Sequence, residues 1–198
     1  MREISPFVGL SVEEWLSTFP PEARARVEQI REDRRNDRRP YPSAKLLDRS
    51  TLLTKPQRNK LLDKVAALVD ENYCGRAEMC QQFADLLYRA LMRLSVDARG
   101  AIGQATYLAA DGSVLWQWKH AWVRSGLEIV DGNIDTIAEN PLVPKSLIVA
   151  PYWGPLAEMP TDRRLTEERR TLPNDRDVKQ IWWPDLRRWI DEGGLGSP

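Results

Sequence analysis

Two short segments decide how this chain is read: Val114-Leu115-Trp116-Gln117-Trp118-Lys119-His120-Ala121-Trp122-Val123 and, after a turn at Arg124-Ser125-Gly126, Leu127-Glu128-Ile129-Val130-Asp131. Leu115 to Val123 is apolar, rich in tryptophan and alternates like a strand. Ala109-Ala110-Asp111-Gly112-Ser113 in front of it carries turn chemistry and predicts a hairpin with Ala98 to Leu108. The result is an antiparallel meander, with His120 on one strand and Asp131 just past the next, at neighbouring positions across a ladder.

Upstream the period changes from two to about three and a half. Cys80, Phe83, Ala84, Leu87, Ala90, Leu91 and Leu94 recur at three-and-four spacing, which predicts an amphipathic helix with Cys80 on its buried face near its N-terminal end. Leu61, Leu62, Val65, Leu68 and Val69 give a second helix from Gln57 to Glu71 one buried stripe. Asn72-Tyr73-Cys74-Gly75-Arg76 ends that helix, with Gly75 suited to a left-handed turn. Nearer the N-terminus, Ser11 and Glu14 have capping-box spacing for a short helix ending before Pro20-Pro21. Pro21 fits the first turn of another helix running through Ile30 into a charged stretch, and Pro40-Tyr41-Pro42 breaks it.

Downstream, Ser146 to Ala150 reads as one more strand. Beyond Pro151 the chain is rich in proline and charge until Ile181-Trp182-Trp183-Pro184-Asp185-Leu186-Arg187-Arg188-Trp189-Ile190, a short amphipathic helix starting near Pro184 and stopping at Gly193-Gly194. Trp182, Trp183 and Trp189 are expected to close the core rather than form a ligand platform. Helices first and antiparallel strands afterwards is the α+β class. The expected organisation is one domain over residues 1–198, with a helical extension at 1–55, a core at 56–155 and a proline- and charge-rich segment at 156–198.

Lys plus Arg equals Asp plus Glu at 29 each, so no global field draws the protein to nucleic acid or anionic lipid. Arg31, Arg34, Arg35, Arg38 and Arg39 are interleaved with Glu32, Asp33 and Asp37, the composition of a solvated, salt-bridged helix end or linker, with a phosphate-binding patch as the alternative. No apolar run spans a bilayer and the N-terminus lacks a secretion-signal pattern; a cytoplasmic protein without membrane or nucleic-acid partners is expected. Delivery as a secreted effector stays compatible with this. Two cysteines, Cys74 and Cys80, make no disulfide framework and agree with a reducing compartment.

Chemistry that needs imidazole has one candidate, because His120 is the only histidine. A cysteine attacks carbonyls as thiolate, and a helix N-terminus favours that anion through its unpaired N–H groups and dipole. Cys80 meets this requirement, His120 can take and return a proton, and a carboxylate can fix the imidazole's tautomer. Asp131 directly ends its strand and is preferred for that task, with Asp135 as its rival. A zinc site from Cys74, Cys80, His120 and Asp131 lacks the close-paired Cys-x-x-Cys spacing, so neither metal nor cofactor is expected.

Taken in order, Cys80-Gln81-Gln82-Phe83-Ala84-Asp85-Leu86-Leu87 with the continuation Leu91 to Arg99, then His120-Ala121-Trp122-Val123, then Ile129-Val130-Asp131-Gly132, resembles the transglutaminase-like superfamily of papain-type cysteine enzymes. The resemblance spans about a third of the chain, roughly Tyr73 to Asn133, and its short turn between the His and Asp strands fits compact members. It implies a nucleophile helix packed on a small antiparallel sheet, a catalytic core at 56–155, and Cys80, His120 and Asp131 as nucleophile, base and orienter. It also implies an oxyanion hole from the Cys80 backbone N–H and one further donor, for which Tyr73, Gln104 and Trp118 are the candidates.

The expected activity is that of a cysteine-dependent acyl hydrolase or transferase on an amide bond of a protein or peptide: peptidase, deamidase or transglutaminase-type chemistry through a thioester. The alternative is a transglutaminase-like fold kept as a non-catalytic binding module, in which Cys80 and His120 are ordinary core residues.

Overall fold

A computed structural model describes residues 12–71, 75–140, 143 and 147–196. Among these residues the chain is mixed α+β: five α-helices and an open sheet of six strands. The helices are α1 (Val12–Ser17), α2 (Pro21–Arg35), α3 (Lys55–Val69), α4 (Cys80–Arg93) and α5 (Trp183–Asp191). The strands are β1 (Leu47–Asp48), β2 (Arg99–Leu108), β3 (Val114–Ser125), β4 (Glu128–Asp131), β5 (Tyr152–Pro155) and β6 (Arg163–Arg169), in the order β1-β5-β4-β3-β2-β6. All neighbours are antiparallel except β1 and β5.

The sequence dictates most of these boundaries locally. α3 starts at a reciprocal cap: the Thr54 hydroxyl accepts the Gln57 backbone N–H while the Gln57 side chain accepts the Thr54 N–H at 2.9 Å, with Pro56 in the first turn. Ser11 of the earlier capping box lies outside the described residues, and α1 begins at Val12. Gly75 has φ +84°, as its place after the α3 turn requires.

Phe83, Leu86, Leu87, Ala90 and Leu91 of α4 pack with Leu61, Leu62 and Val65 of α3 over Ile102, Ala121, Val123, Val130 and Trp153 of the sheet, forming the main core. Burying a leucine or phenylalanine side chain contributes about 1.5–3 kcal/mol, which makes this floor the largest apolar contribution to the fold. A second cluster, Ala105, Tyr107, Ile134, Ile137, Val143, Leu147 and Val149, joins a 3₁₀ turn at Ile134–Glu139 to the distal part of β2 and β3.

Three expectations are corrected. The described part of Ser146 to Ala150, residues 147–150, forms no strand; Leu147 and Val149 are buried in the second cluster without a ladder, and the strand comes after Pro151, at Tyr152–Pro155. Pro151 has no N–H to give a ladder, which places the start of pairing beyond it. β6 escaped the sequence pattern because it is a charge-rich edge strand, Arg163-Arg164-Leu165-Thr166-Glu167-Glu168-Arg169, and edge strands are protected by charge rather than marked by apolar period. The Arg31–Arg39 run is not simply solvated: Arg31 and Arg34 are 8% and 6% exposed.

The tail returns to the core. Asp175 accepts the backbone N–H groups of Asp177 and Val178 at the start of a π turn, Val178–Trp182, and also accepts the Gln82 side chain on α4 at 3.0 Å. Trp182 is 5% exposed within the main core and donates its indole N–H to Glu71 at 2.8 Å, while Trp183 and Trp189 pack beside it. These tryptophans close the core as expected.

Candidate functional site

β3 and β4 carry the imidazole and the carboxylate. Val123 pairs with Val130, so the next residue of β4, Asp131, comes level with Trp122, two residues along β3 from His120. His120 Nε2 lies 3.0 and 2.9 Å from the two carboxylate oxygens of Asp131, in a site where the residues are 3% and 2% exposed. With Nε2 engaged, Nδ1 is the nitrogen left for a second partner. Trp122 stacks beside the ring at 6.2 Å between centroids, and Gly103 of β2 stands opposite His120 in the ladder. A Cβ at Gly103 would fall 1.9 Å from the Thr166 carbonyl, so only glycine lets β6 bulge across at this point.

Cys80 is the first residue of α4 and 7% exposed. Its thiol is one of the neighbours that act on the His120 ring. Burial opposes a charged imidazole, but the Asp131 charge and hydrogen bond, followed by Cys80, outweigh it and raise the His120 pKa to about 10. The imidazolium form is therefore favoured at neutral pH.

Asp135 goes elsewhere. Its carboxylate accepts from Arg76 Nη2 at 3.1 and 3.3 Å, and burial pushes its pKa up while Arg76 pulls it down. Of the two acids weighed from the sequence, Asp131 meets the imidazole and Asp135 meets a guanidinium. Gln104 and Trp118 are both half-buried at adjoining ladder positions, Gln104 opposite Lys119 and Trp118 opposite Ala105, so they project from opposite faces of the strand pair. Trp118 packs on the second cluster. Tyr73, the third oxyanion candidate, and Cys74 lie outside the described residues.

Sequence reading missed an ionic seam around the turn into α4. Arg34 of α2 donates to Asp70 at 2.7 Å and to Glu139; Asp70 also accepts the Gly75 N–H at 2.9 Å, and Glu139 accepts the Arg76 N–H at 2.6 Å. Arg76 itself is fully buried. A charged residue beside a left-handed glycine has no period to announce it, and its partners lie about 60 residues away in sequence. Their one signal was the density of Arg, Asp and Glu in segments otherwise predicted to pack.

Among the described residues no helix is long and apolar enough to cross a membrane. Compared with known family models, curated proteins and solved structures, the chain matches none of them.

Proposed function

We propose that this protein is a transglutaminase-like cysteine acyl hydrolase or transferase acting on amide bonds of proteins or peptides, with Cys80 as nucleophile, His120 as proton carrier and Asp131 as its orienting acid. The observation that carries the reading is the buried two-oxygen grip of Asp131 on His120 Nε2, with Cys80 buried at the first turn of α4. The three ordered motifs of the resemblance support the same assignment.

The chemistry follows from the charges. Asp131 holds the imidazolium, and the positive ring together with the α4 N-terminus favours a negative sulfur. Sγ of Cys80 attacks the amide carbonyl carbon, an S–C bond forms, and the carbonyl oxygen takes the charge. Collapse breaks the C–N bond, His120 gives its proton to the leaving amine or ammonia, and a thioester remains on Cys80. Water or a second amine then attacks the thioester, returning a proton to His120 and releasing a carboxylic acid or a new amide.

The test is alkylation by iodoacetamide across pH, with Cys80 and Cys74 read separately by peptide mass. An ordinary thiol of pKa about 8.5 is well under 1% thiolate at pH 6. Cys80 labels at pH 6 in the folded protein and Cys74 does not; His120→Ala removes the low-pH labelling without unfolding the chain. Incubating the protein with cell lysate and weighing the Cys80 peptide then traps the acyl group itself.

The low exposure of the trio favours one second reading, a transglutaminase-like module that binds a partner without chemistry. Slow, equal labelling of both cysteines with an ordinary thiol's pH dependence would select it over the enzyme.

A further inference from the structure

We propose that Arg76 is a positioning residue for the reaction above, on which this inference rests: it clamps the turn leading into Cys80 onto the loop following Asp131 and so holds thiol, imidazole and carboxylate in one geometry.

Arg76 reaches both sides of the site at once. On the acid side, Nη1 donates to the Gly132 carbonyl at 3.2 Å and to Asn133 Oδ1 at 3.1 Å, and Nη2 donates to Asp135. Asn133 in turn donates its backbone N–H to Asp131 Oδ1 at 3.3 Å, the carboxylate that holds His120. On the nucleophile side, the Arg76 carbonyl accepts the Asn133 side chain at 3.1 Å and the Met79 N–H at 3.0 Å, and the Met79 carbonyl receives the Phe83 N–H in the first turn of α4. The guanidinium also lies 5.9 Å from the centre of the Phe83 ring, one turn along α4 from Cys80. Nη2 reaches the Pro40 carbonyl at 3.3 Å as well, so the segment after α2 is tied to the same point.

The geometry needs a planar fork. Several donors diverge from one buried group toward Gly132, Asn133, Asp135 and Pro40, which an ammonium on a flexible stem cannot serve together. Moving Asn133 moves the hydrogen bond that sets the Asp131 carboxylate, and a carboxylate off its position leaves the imidazolium less favoured.

A merely structural arginine would lower the melting temperature and leave the chemistry of Cys80 alone. The experiment therefore measures both melting temperature and the pH profile of Cys80 alkylation in Arg76→Gln, Arg76→Lys and Asn133→Ala, with Arg58→Gln for comparison. Arg58 is also buried and bonded to Asp48 and to the Leu52 and Leu53 carbonyls, none of which is a partner of Arg76. In Arg76→Gln and Asn133→Ala, labelling at pH 6 falls about tenfold or more relative to pH 9, the rate equivalent of one lost charged hydrogen bond. Arg76→Lys falls between these and the wild type, and Arg58→Gln loses stability with its profile unchanged.

Wild-type profiles in folded Arg76→Gln and Asn133→Ala overturn the proposal. Should Arg76→Gln fail to fold, Asn133→Ala decides, since it keeps the guanidinium and its Asp135 pair. The enzyme reading fails separately, and takes this inference with it, if wild-type Cys80 labels like an ordinary thiol or His120→Ala keeps the wild-type profile.

Discussion

The floor beneath α4 and the seam around the turn before it are both buried, yet they are built from opposite chemistry. The floor is Leu61, Leu62, Phe83, Leu87 and Leu91 against the sheet, where the attraction is non-directional and side chains of similar volume can replace one another. In the seam, Arg34, Asp70, Arg76, Asp135 and Glu139 fix distances and directions through ion pairs and hydrogen bonds. Buried ion pairs gain little net stability over apolar packing but lose much when one partner goes. On the proposed function, this contrast is a division of labour in which the floor stabilises the fold and the seam sets where Cys80 stands relative to His120.

The largest effect expected on this account comes from cutting the seam. Asp70→Ala takes a 1% exposed carboxylate from Arg34 and from the Gly75 N–H, and urea denaturation should show a loss of about 3–5 kcal/mol together with a shifted Cys80 alkylation profile. Leu87→Ala removes a 1% exposed floor residue at a cost of about 2–5 kcal/mol, with the alkylation profile of the folded protein unchanged. Matching profiles in these two variants would erase the distinction between the regions.

A smaller effect falls at the hinge between them. Gly75→Ala forces a Cβ at positive φ to within 2.7 Å of Glu139 Oε2 and 3.3 Å of Ile30 Cγ2, and calorimetry should register a loss of roughly 1–2 kcal/mol. A pH dependence tests the pair at the site itself. Because the His120 pKa is raised from 6.5 to about 10, the folded chain keeps a proton that the unfolded chain releases, so this stabilisation is complete below pH 6.5 and is lost as pH rises through about 10. The stability difference between wild type and His120→Gln should therefore shrink across that window, and a difference that grew with pH would oppose the assignment.

Legibility in the sequence followed the same division. The floor could be read because α4 repeats its apolar residues at helical spacing, and the His120 and Asp131 strands because they alternate around a short turn. The pairing of Asp131 rather than Asp135 with His120 followed from strand register, a short-range property. β6 and the Arg34–Asp70–Arg76–Glu139 seam were not legible, since charged residues look alike in solvent and in a buried pair, and their partners are set only by the finished fold. Arg31 and Arg34 misled for that reason. Tyr152–Pro155 was displaced by a few residues because apolar composition at 147–150 serves cluster packing as well as it serves a ladder.

The most direct test of the central claim uses the fact that the chain has one histidine. In a protein labelled with nitrogen-15 in that side chain, the imidazole resonances titrate alone. The account predicts that His120 stays doubly protonated from pH 6 to beyond pH 8, with Nε2–H in a strong hydrogen bond to Asp131, and releases its proton near pH 10. A midpoint near 6.5, unchanged in Asp131→Ala, would contradict it.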